Sequence, residues 1–568
     1  MITLITMKTY YIIIISFLVF LYPSSSFSQE NVLRNPFDFP ILLSGNFGEL
    51  RASHFHSGID FKTQGVEGKS VRAVQDGYIS RIGVSPWGYG NVLYLNHPDG
   101  TTTVYGHLQQ FAAPIAEYVK EQQYIAESFT VNLYPDSALF SFKEGDVIGI
   151  AGNSGSSGGP HLHFEVRDTK TEDVLDPLVY YKDRIKDTRP PRITGLKVYP
   201  VQGRGIVNGS VRPRVLKLTT PKGTNRLTVS DRIEAWGDIA FGIKAFDFMD
   251  GTSNIYGVKE VILMKDSDVV FRSNIEQYSF DETRYLTSFT DYPEWRNSGS
   301  FFMKSFIEPG NRLRFITGKD RGVITIDEER TYLLSYLLSD LYGNTTSLAF
   351  KVQGKKQNLP EQEESTLFNW SGDNRFGAKG VRLFIPRGNL YADLSLQYTG
   401  KEDSTALGRT HTLHSEAVPL HKTADLSIRL QHDTLTNKQQ YGIVRLHKGR
   451  RYWIGGNYKD GWIHGAIREL ATYSPAADTQ PPVITPVDPE TWVQKRRITI
   501  RITDSLSGID TYRGEIDGEY ALFEFDGKKG LVSYRFDSHR LTKGTHELTF
   551  TVTDACGNPS VYTRKFVW

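Results

Sequence analysis

One cysteine, Cys556, in 568 residues leaves no intrachain disulfide, so each domain must be held by its own core. It also removes thiolate clusters, and any metal site has to be built from His, Asp or Glu. The thiol lies in Asp554-Ala555-Cys556-Gly557-Asn558 with no base beside it and reads as a small packed residue. An excess of either charge is missing too. Lys+Arg number 66 against 64 Asp+Glu, a net +2 that argues neither for nucleic acid nor for an acidic disordered tail. Long apolar runs are absent after the first residues. Lys8 precedes an uncharged stretch from Tyr10 to Tyr22, about 13 residues against the ~20 that span a bilayer. Ser24, Ser25, Ser26 and Ser28 follow, so residues 1–28 read as an export signal cut after Ser28, with no cysteine for a lipid anchor. The mature chain is therefore expected without a transmembrane span, in the periplasm or cell envelope, or secreted.

What the chain does have is aromatic residues (12%) and 51 glycines, which favour strands and tight turns, over a length that suits several domains of ~150 residues. Residues 29–186 read as one β-rich unit. Val71 to Val84 and Asn91 to Leu95 have strand composition, and Pro98-Asp99-Gly100 turns into Thr101 to Tyr105. Between Leu108 and Glu144 lies an excursion, with a short helix predicted over Ile115 to Tyr124 and a hairpin over Phe129 to Phe142. Asp146 to Ala151 is a further strand.

An internal repeat organises the rest. Asp187-Thr188-Arg189-Pro190-Pro191 recurs as Asp478-Thr479-Gln480-Pro481-Pro482, and Asp340-Leu341-Tyr342-Gly343-Asn344 is echoed by Asp554-Ala555-Cys556-Gly557-Asn558. These signatures bracket β-sandwich candidates at 187–355 and 479–568. Residues 356–478 hold a polar linker and a third sandwich, so the fold class is mainly β with about three immunoglobulin-like sandwiches after the first unit.

Six of the fourteen histidines fall between residues 54 and 163. The informative set is His56-Ser57-Gly58-Ile59-Asp60, Tyr105-Gly106-His107-Leu108 and Gly159-Pro160-His161-Leu162-His163-Phe164-Glu165. On a strand, His161 and His163 project from the same face. His and Asp without cysteine form a nitrogen/oxygen set suited to Zn²⁺ with one position left for water.

In this order the motifs H-x-x-x-D, G-H-L and G-P-H-L-H-F-E resemble the lysostaphin/LytM-type zinc endopeptidases, over roughly residues 45–180. The resemblance implies zinc ligands at His56, Asp60 and His163, with His107 and His161 lining the reaction site. It implies a hydrolase that activates a water on zinc to cut peptide cross-links of peptidoglycan, the sandwiches serving as spacers or contacts for envelope partners. The competing reading is a catalytically silent domain that binds peptidoglycan or a partner and regulates other cell-wall hydrolases. The Gln109 to Lys143 detour departs from the family pattern and is expected to wall one side of the substrate groove.

Other features have plainer readings. His54 is expected to line the groove, His97 to pack in its turn, and Glu165 either to orient a ligand or to pair with Arg167 at the surface. Asp247, Asp250, Asp504 and Asp510 lie in Asp/Gly/Ser loops that lack EF-hand spacing, so turn capping is expected over calcium. Trp453, Tyr458 and Trp462 alternate as sandwich residues do, which favours packing over a glycan-stacking surface.

Overall fold

The computed structural model describes residues 32–222, 224, 226–360, 366–402 and 407–568. The expected export signal, 1–28, lies outside the described residues.

The first unit is an antiparallel sheet with a helical excursion. Its elements are β1 (Leu43–Gly45), β2 (Ile59–Lys62), β3 (Ser70–Arg72), β4 (Gly77–Val84), β5 (Asn91–Asn96), β6 (Thr101–Phe111), α1 (Ala113–Ile125), β7 (Val131–Leu133), β8 (Ser141–Phe142), β9 (Val147–Ala151), β10 (His161–Asp168) and β11 (Val174–Leu175). The main path runs β1-β2-β10-β6-β5-β4-β7, with β3 paired to β9 and β9 to the end of β6. Period-two alternation decides what β10 does. Leu162, Phe164 and Val166 enter the core, which puts His161, His163, Glu165 and Arg167 on the opposite face. His163 pairs in register with Asp60 on β2 and with Gly106 on β6.

Helix α1 falls where the sequence places it. The Phe129 to Phe142 hairpin does not form: β7 and β8 both pair with β4 instead of with each other. The outer edge of β4 would otherwise leave a row of unpaired backbone groups, and the two short strands cover it.

The first and second units share a core. Phe47, Phe55 and Val174 pack among Tyr278, Phe289 and the strands of the second unit, and β11 extends onto Gln277–Tyr278. The second unit is one continuous ten-stranded sheet, because strand Glu234–Phe246 pairs with Arg192–Val207 along its length and in parallel with the end of Thr345–Gly354. Residues 366–477 form two five-stranded sheets around a common core, and residues 483–567 two four-stranded sheets around another. Trp453 covers Gly442, Tyr458 stacks on Tyr441 and Trp462 carries Arg382, so the three aromatics pack separately. Cys556 is buried, as its sequence setting suggests. Among the described residues no helix is long and apolar enough to cross a membrane.

Candidate metal centre

Three acceptor atoms converge on one point. His56 Nε2 lies 3.0 Å from Asp60 Oδ1 and 3.0 Å from His163 Nδ1, and His163 Nδ1 lies 3.0 Å from Asp60 Oδ1. The other ring nitrogen of each histidine is committed elsewhere. His56 Nδ1–H donates to the Asn46 carbonyl at 2.7 Å, and His163 Nε2–H donates to Glu165 Oε1 at 2.8 Å. Both rings therefore turn their other nitrogen toward the Asp60 carboxylate. Burial alone would raise Asp60, but His56 and hydrogen bonds with His161 and His163 hold it well below the usual carboxylate range. Burial likewise opposes charge on His163, yet Asp60 and Glu165 raise it to about 9. Two imidazoles and a carboxylate this close match the apexes of a divalent ion with bonds of ~2.0–2.1 Å.

The local chain explains how the loop and strand meet. A Cβ on Gly58 would fall 2.1 Å from the Phe164 carbonyl oxygen, so only glycine lets the His56 loop run against β10. A Cβ on Gly45 would fall 2.6 Å from Asp60 Oδ2, the oxygen that Arg51 approaches at 3.3 Å.

Glu165 is fully buried. Its Oε1 accepts from Ser57 Oγ (2.5 Å), Tyr89 Oη (2.6 Å) and His163 (2.8 Å), while Oε2 accepts from Arg167 at 2.6 Å. Glu165 does pair with Arg167, but in the interior and not at the surface as expected. Burial would raise this carboxyl, but Arg167 and then His163 hold it well below the carboxylate range. The period-two step from His163 signals Glu165 in the sequence; Ser57, Tyr89 and Asn46 carry no such signal.

His107 and His161 stand beside the trio, with ring centroids 4.8 Å apart. His107 sits at a bulge with φ of 59°, where β6 leaves its pairing with β5 and β10 and joins β9. That backbone is strained for a side chain with a Cβ, by roughly 1–3 kcal/mol, and it turns the imidazole onto the histidine face. Its Nδ1–H donates to the Ser154 carbonyl at 2.9 Å. Burial, then the neighbouring His163 and His161, lowers it to about 3, so it is neutral near pH 7. His161 Nδ1–H donates to the Gly159 carbonyl at 2.8 Å, and its Nε2 lies 3.5 Å from Asp60 Oδ1. The structure thus brings together all five residues singled out in the sequence. His54 stays exposed, bonded only to Ser53, and His97 is buried between the Asp76 carbonyl and Thr103.

The C-terminal unit closes against this region. Lys528 Nζ donates to the carbonyls of Asn153 and Ser157, and Trp87 meets Phe525 edge-on at 6.2 Å. The excursion with α1 faces the same unit across a cleft of about 640 Å³ that reaches Ser154.

Two segments of the chain are similar to known protein families. The sequence profile of peptidase family M23 matches residues 54–135, and that of a Zu5-like domain matches 365–478. DD-carboxypeptidase/endopeptidase Mpg of Neisseria meningitidis serogroup B is 33% identical over 118 residues, 21% of each chain. Lysostaphin of Staphylococcus simulans is 29% identical over 130 residues, 22% of this chain and 21% of its own. The chain thus spans about a fifth of the length of these relatives. The solved catalytic domain of S. simulans lysostaphin aligns at 25% identity over 25% of this chain and 92% of its own, with a TM-score of 0.19. The N-terminal unit of this chain is a peptidase family M23 domain.

Proposed function

We propose that the protein is an exported zinc endopeptidase that hydrolyses peptide cross-links in bacterial peptidoglycan. The observation that carries this is the convergence of three acceptors at 3.0 Å with two further imidazoles turned to the same space. Two relatives support the substrate class, the DD-carboxypeptidase/endopeptidase Mpg and the glycyl-glycine endopeptidase ALE-1 of Staphylococcus capitis, which is 29% identical over 130 residues. A silent binding domain has no use for the full set of five.

His56 Nε2, Asp60 Oδ1 and His163 Nδ1 would hold the zinc. When bound, it supplies a Lewis acid that lowers the pKa of water and polarises a peptide carbonyl. The chain's own residues do the rest. Glu165 keeps the His163 tautomer and ring orientation, and Asn46 does so for His56. His107, neutral and with Nδ1–H tied to Ser154, presents Nε2 as proton acceptor for the attacking water and returns that proton to the leaving amine. His161 turns Nε2 to the same space, and with Nδ1–H held by the Gly159 carbonyl it steadies the developing oxyanion in the form that carries a proton on Nε2 as well.

The test joins metal analysis to digestion of isolated sacculi, with released fragments identified by mass spectrometry. Wild type should carry one zinc and release cross-link cleavage products. His107→Ala and His161→Ala should keep the zinc and lose turnover by roughly 10²–10⁴-fold. Zinc-loaded wild type that releases nothing from sacculi, or variants that digest them at the wild-type rate, would defeat the proposal.

A further inference from the structure

Two sets of three aspartates meet inside the chain, each at a junction between units: Asp187, Asp247 and Asp340, and Asp478, Asp504 and Asp554. In each set one oxygen per residue lies within 4.8 Å of the others. The two sets occupy the same positions of the internal repeat. Asp187 and Asp478 open the Pro-Pro linkers, and Asp340 and Asp554 open the closing turns. The third members also correspond. Arg192, five residues after Asp187, pairs with Phe246, and Val483, five residues after Asp478, pairs with Thr503; Asp247 and Asp504 come next. Supporting contacts recur too: Asn344 Nδ2 donates to the Asp187 carbonyl and to Asp340, as Asn558 Nδ2 does to the Asp478 carbonyl and to Asp554.

Turn capping, the expected role of these loops, accounts for part of this. Asp340 and Asp554 cap backbone amides of their turns, and Asp504 Oδ2 caps Leu506 and Gly508. It leaves Asp187 Oδ2, Asp247 Oδ1 and Asp504 Oδ1 buried without a partner. Asp187 is 7% exposed and Asp247 3%. Both line, with Asp340, one closed cavity of about 10 Å³, the space of a single small sphere. Lys259 on the cavity wall is spent on Asp176 at 3.1 Å, and none of the six aspartates has an ion pair among the described residues. Burial, followed by repulsion from neighbouring carboxylates, pushes Asp187 up to about 6 and Asp247 up to about 8. Arg189, whose charge eases Asp187 and Asp247, spends its guanidinium on the Met249 and Thr252 carbonyls, so three carboxylates around a void, none paired to a cation of the protein, ask for one from solution.

We propose that each set binds one Ca²⁺, the first at the wall that the M23 domain shares with the second unit, where Asn46, Phe47 and Leu178 line the same cavity, and the second where the Zu5-like unit runs into the C-terminal one. An all-oxygen donor set selects a hard cation. The first cavity is too small for the several waters that Mg²⁺ retains, which favours calcium. The second set is more open, because Asp504 is half-buried.

The test uses the full chain, stripped of both metals with EGTA, reloaded with one equivalent of zinc and dialysed against millimolar calcium, with calcium and zinc counted in the same sample. Wild type should hold two calcium ions, Asp247→Asn and Asp504→Asn one each, and the double variant none, with zinc unchanged throughout. Calcium should raise the melting temperature of wild type by roughly 5 °C. Asp247→Asn removes a repelling charge, so it should melt above wild type in EGTA and below it in calcium, which also checks that it folds. Wild type that retains no calcium, variants that keep both ions, or an Asp247→Asn chain that melts above wild type in both buffers would overturn the proposal.

Discussion

The hydroxyl of Tyr278 donates to the carbonyl oxygen of Phe55 at 3.1 Å, across 223 residues of sequence. The residue before His56 is thus fastened by the second unit, where Phe55 also meets Phe289 and Phe315. The loop that carries His56 in the first unit is therefore held in part by its neighbour. Tyr278→Phe should cost about 1 kcal/mol of stability through the lost hydrogen bond. Tyr278→Ala also removes ring contacts with Phe47 and Phe55, and should cost about 3–5 kcal/mol. Zinc affinity, measured by competition with a chromophoric chelator, should fall in the same order although Tyr278 touches no donor atom. Equal affinity in all three proteins would detach the His56 loop from the second unit.

Glu165 is the second lever. Glu165→Gln should lower zinc affinity by roughly 10–100-fold, because His163 loses the carboxylate that orients it. The same change leaves Arg167, which is 4% exposed, with the exposed Glu172 at 3.0 Å as its remaining counter-ion, and should cost up to about 3 kcal/mol. Adding Arg167→Met should restore much of the melting temperature but not the zinc affinity. Recovery of both together would mean that Glu165 serves only the ion pair.

The contrast between the two kinds of site says what a sequence can carry. His56 and Asp60 lie on one short segment, and His161 and His163 two apart on one strand, so the motifs stand out in the sequence, while the choice of ligands among them comes from the family resemblance. The aspartate sets have no such spacing. Asp187, Asp247 and Asp340 come from three distant turns: the register of strand Arg192–Val207 on Glu234–Phe246 brings the first two together, and Asn344 ties in the third. The shared core is hidden for a similar reason. Phe55 beside a histidine motif reads as a residue of its own domain, and the partners that bury it lie beyond residue 270. The failed hairpin over Phe129 to Phe142 reflects competition that local pattern omits: the open edge of β4 takes both strands.

His107 makes stability depend on pH. Its folded value is lowered to about 3, against an ordinary value near 6.5, so between these limits the unfolded chain binds a proton that the folded chain refuses. Its contribution is therefore complete above pH ~6.5 and is lost as pH falls towards ~3. The first unfolding transition of zinc-free protein should drop by about 2–4 kcal/mol between neutral pH and pH ~4 from this group alone. His107→Gln should flatten that slope. A variant with the wild-type slope would assign the acid sensitivity to other groups.

The last expectation concerns the C-terminal unit, which reaches the site through one loop. Ser154 holds His107 by its carbonyl, and Asn153 and Ser157 of the same loop accept from Lys528. The docking around this contact is of two kinds. Exposed pairs, Lys120 with Asp537 and Arg513 with Glu127, contribute little and are screened by salt. Trp87 on Phe525 and Gly527, and Arg540 over Tyr124 at 3.6 Å, are aromatic contacts that salt leaves largely intact. High salt should therefore leave the unit docked, whereas Trp87→Ala should raise deuterium uptake across α1 and residues 152–159. Lys528→Ala frees the loop without touching a metal donor, so it should lower turnover on sacculi by roughly five- to tenfold at unchanged zinc content. Turnover and exchange both at wild-type levels in Lys528→Ala would show that the C-terminal unit rests beside the site without holding it.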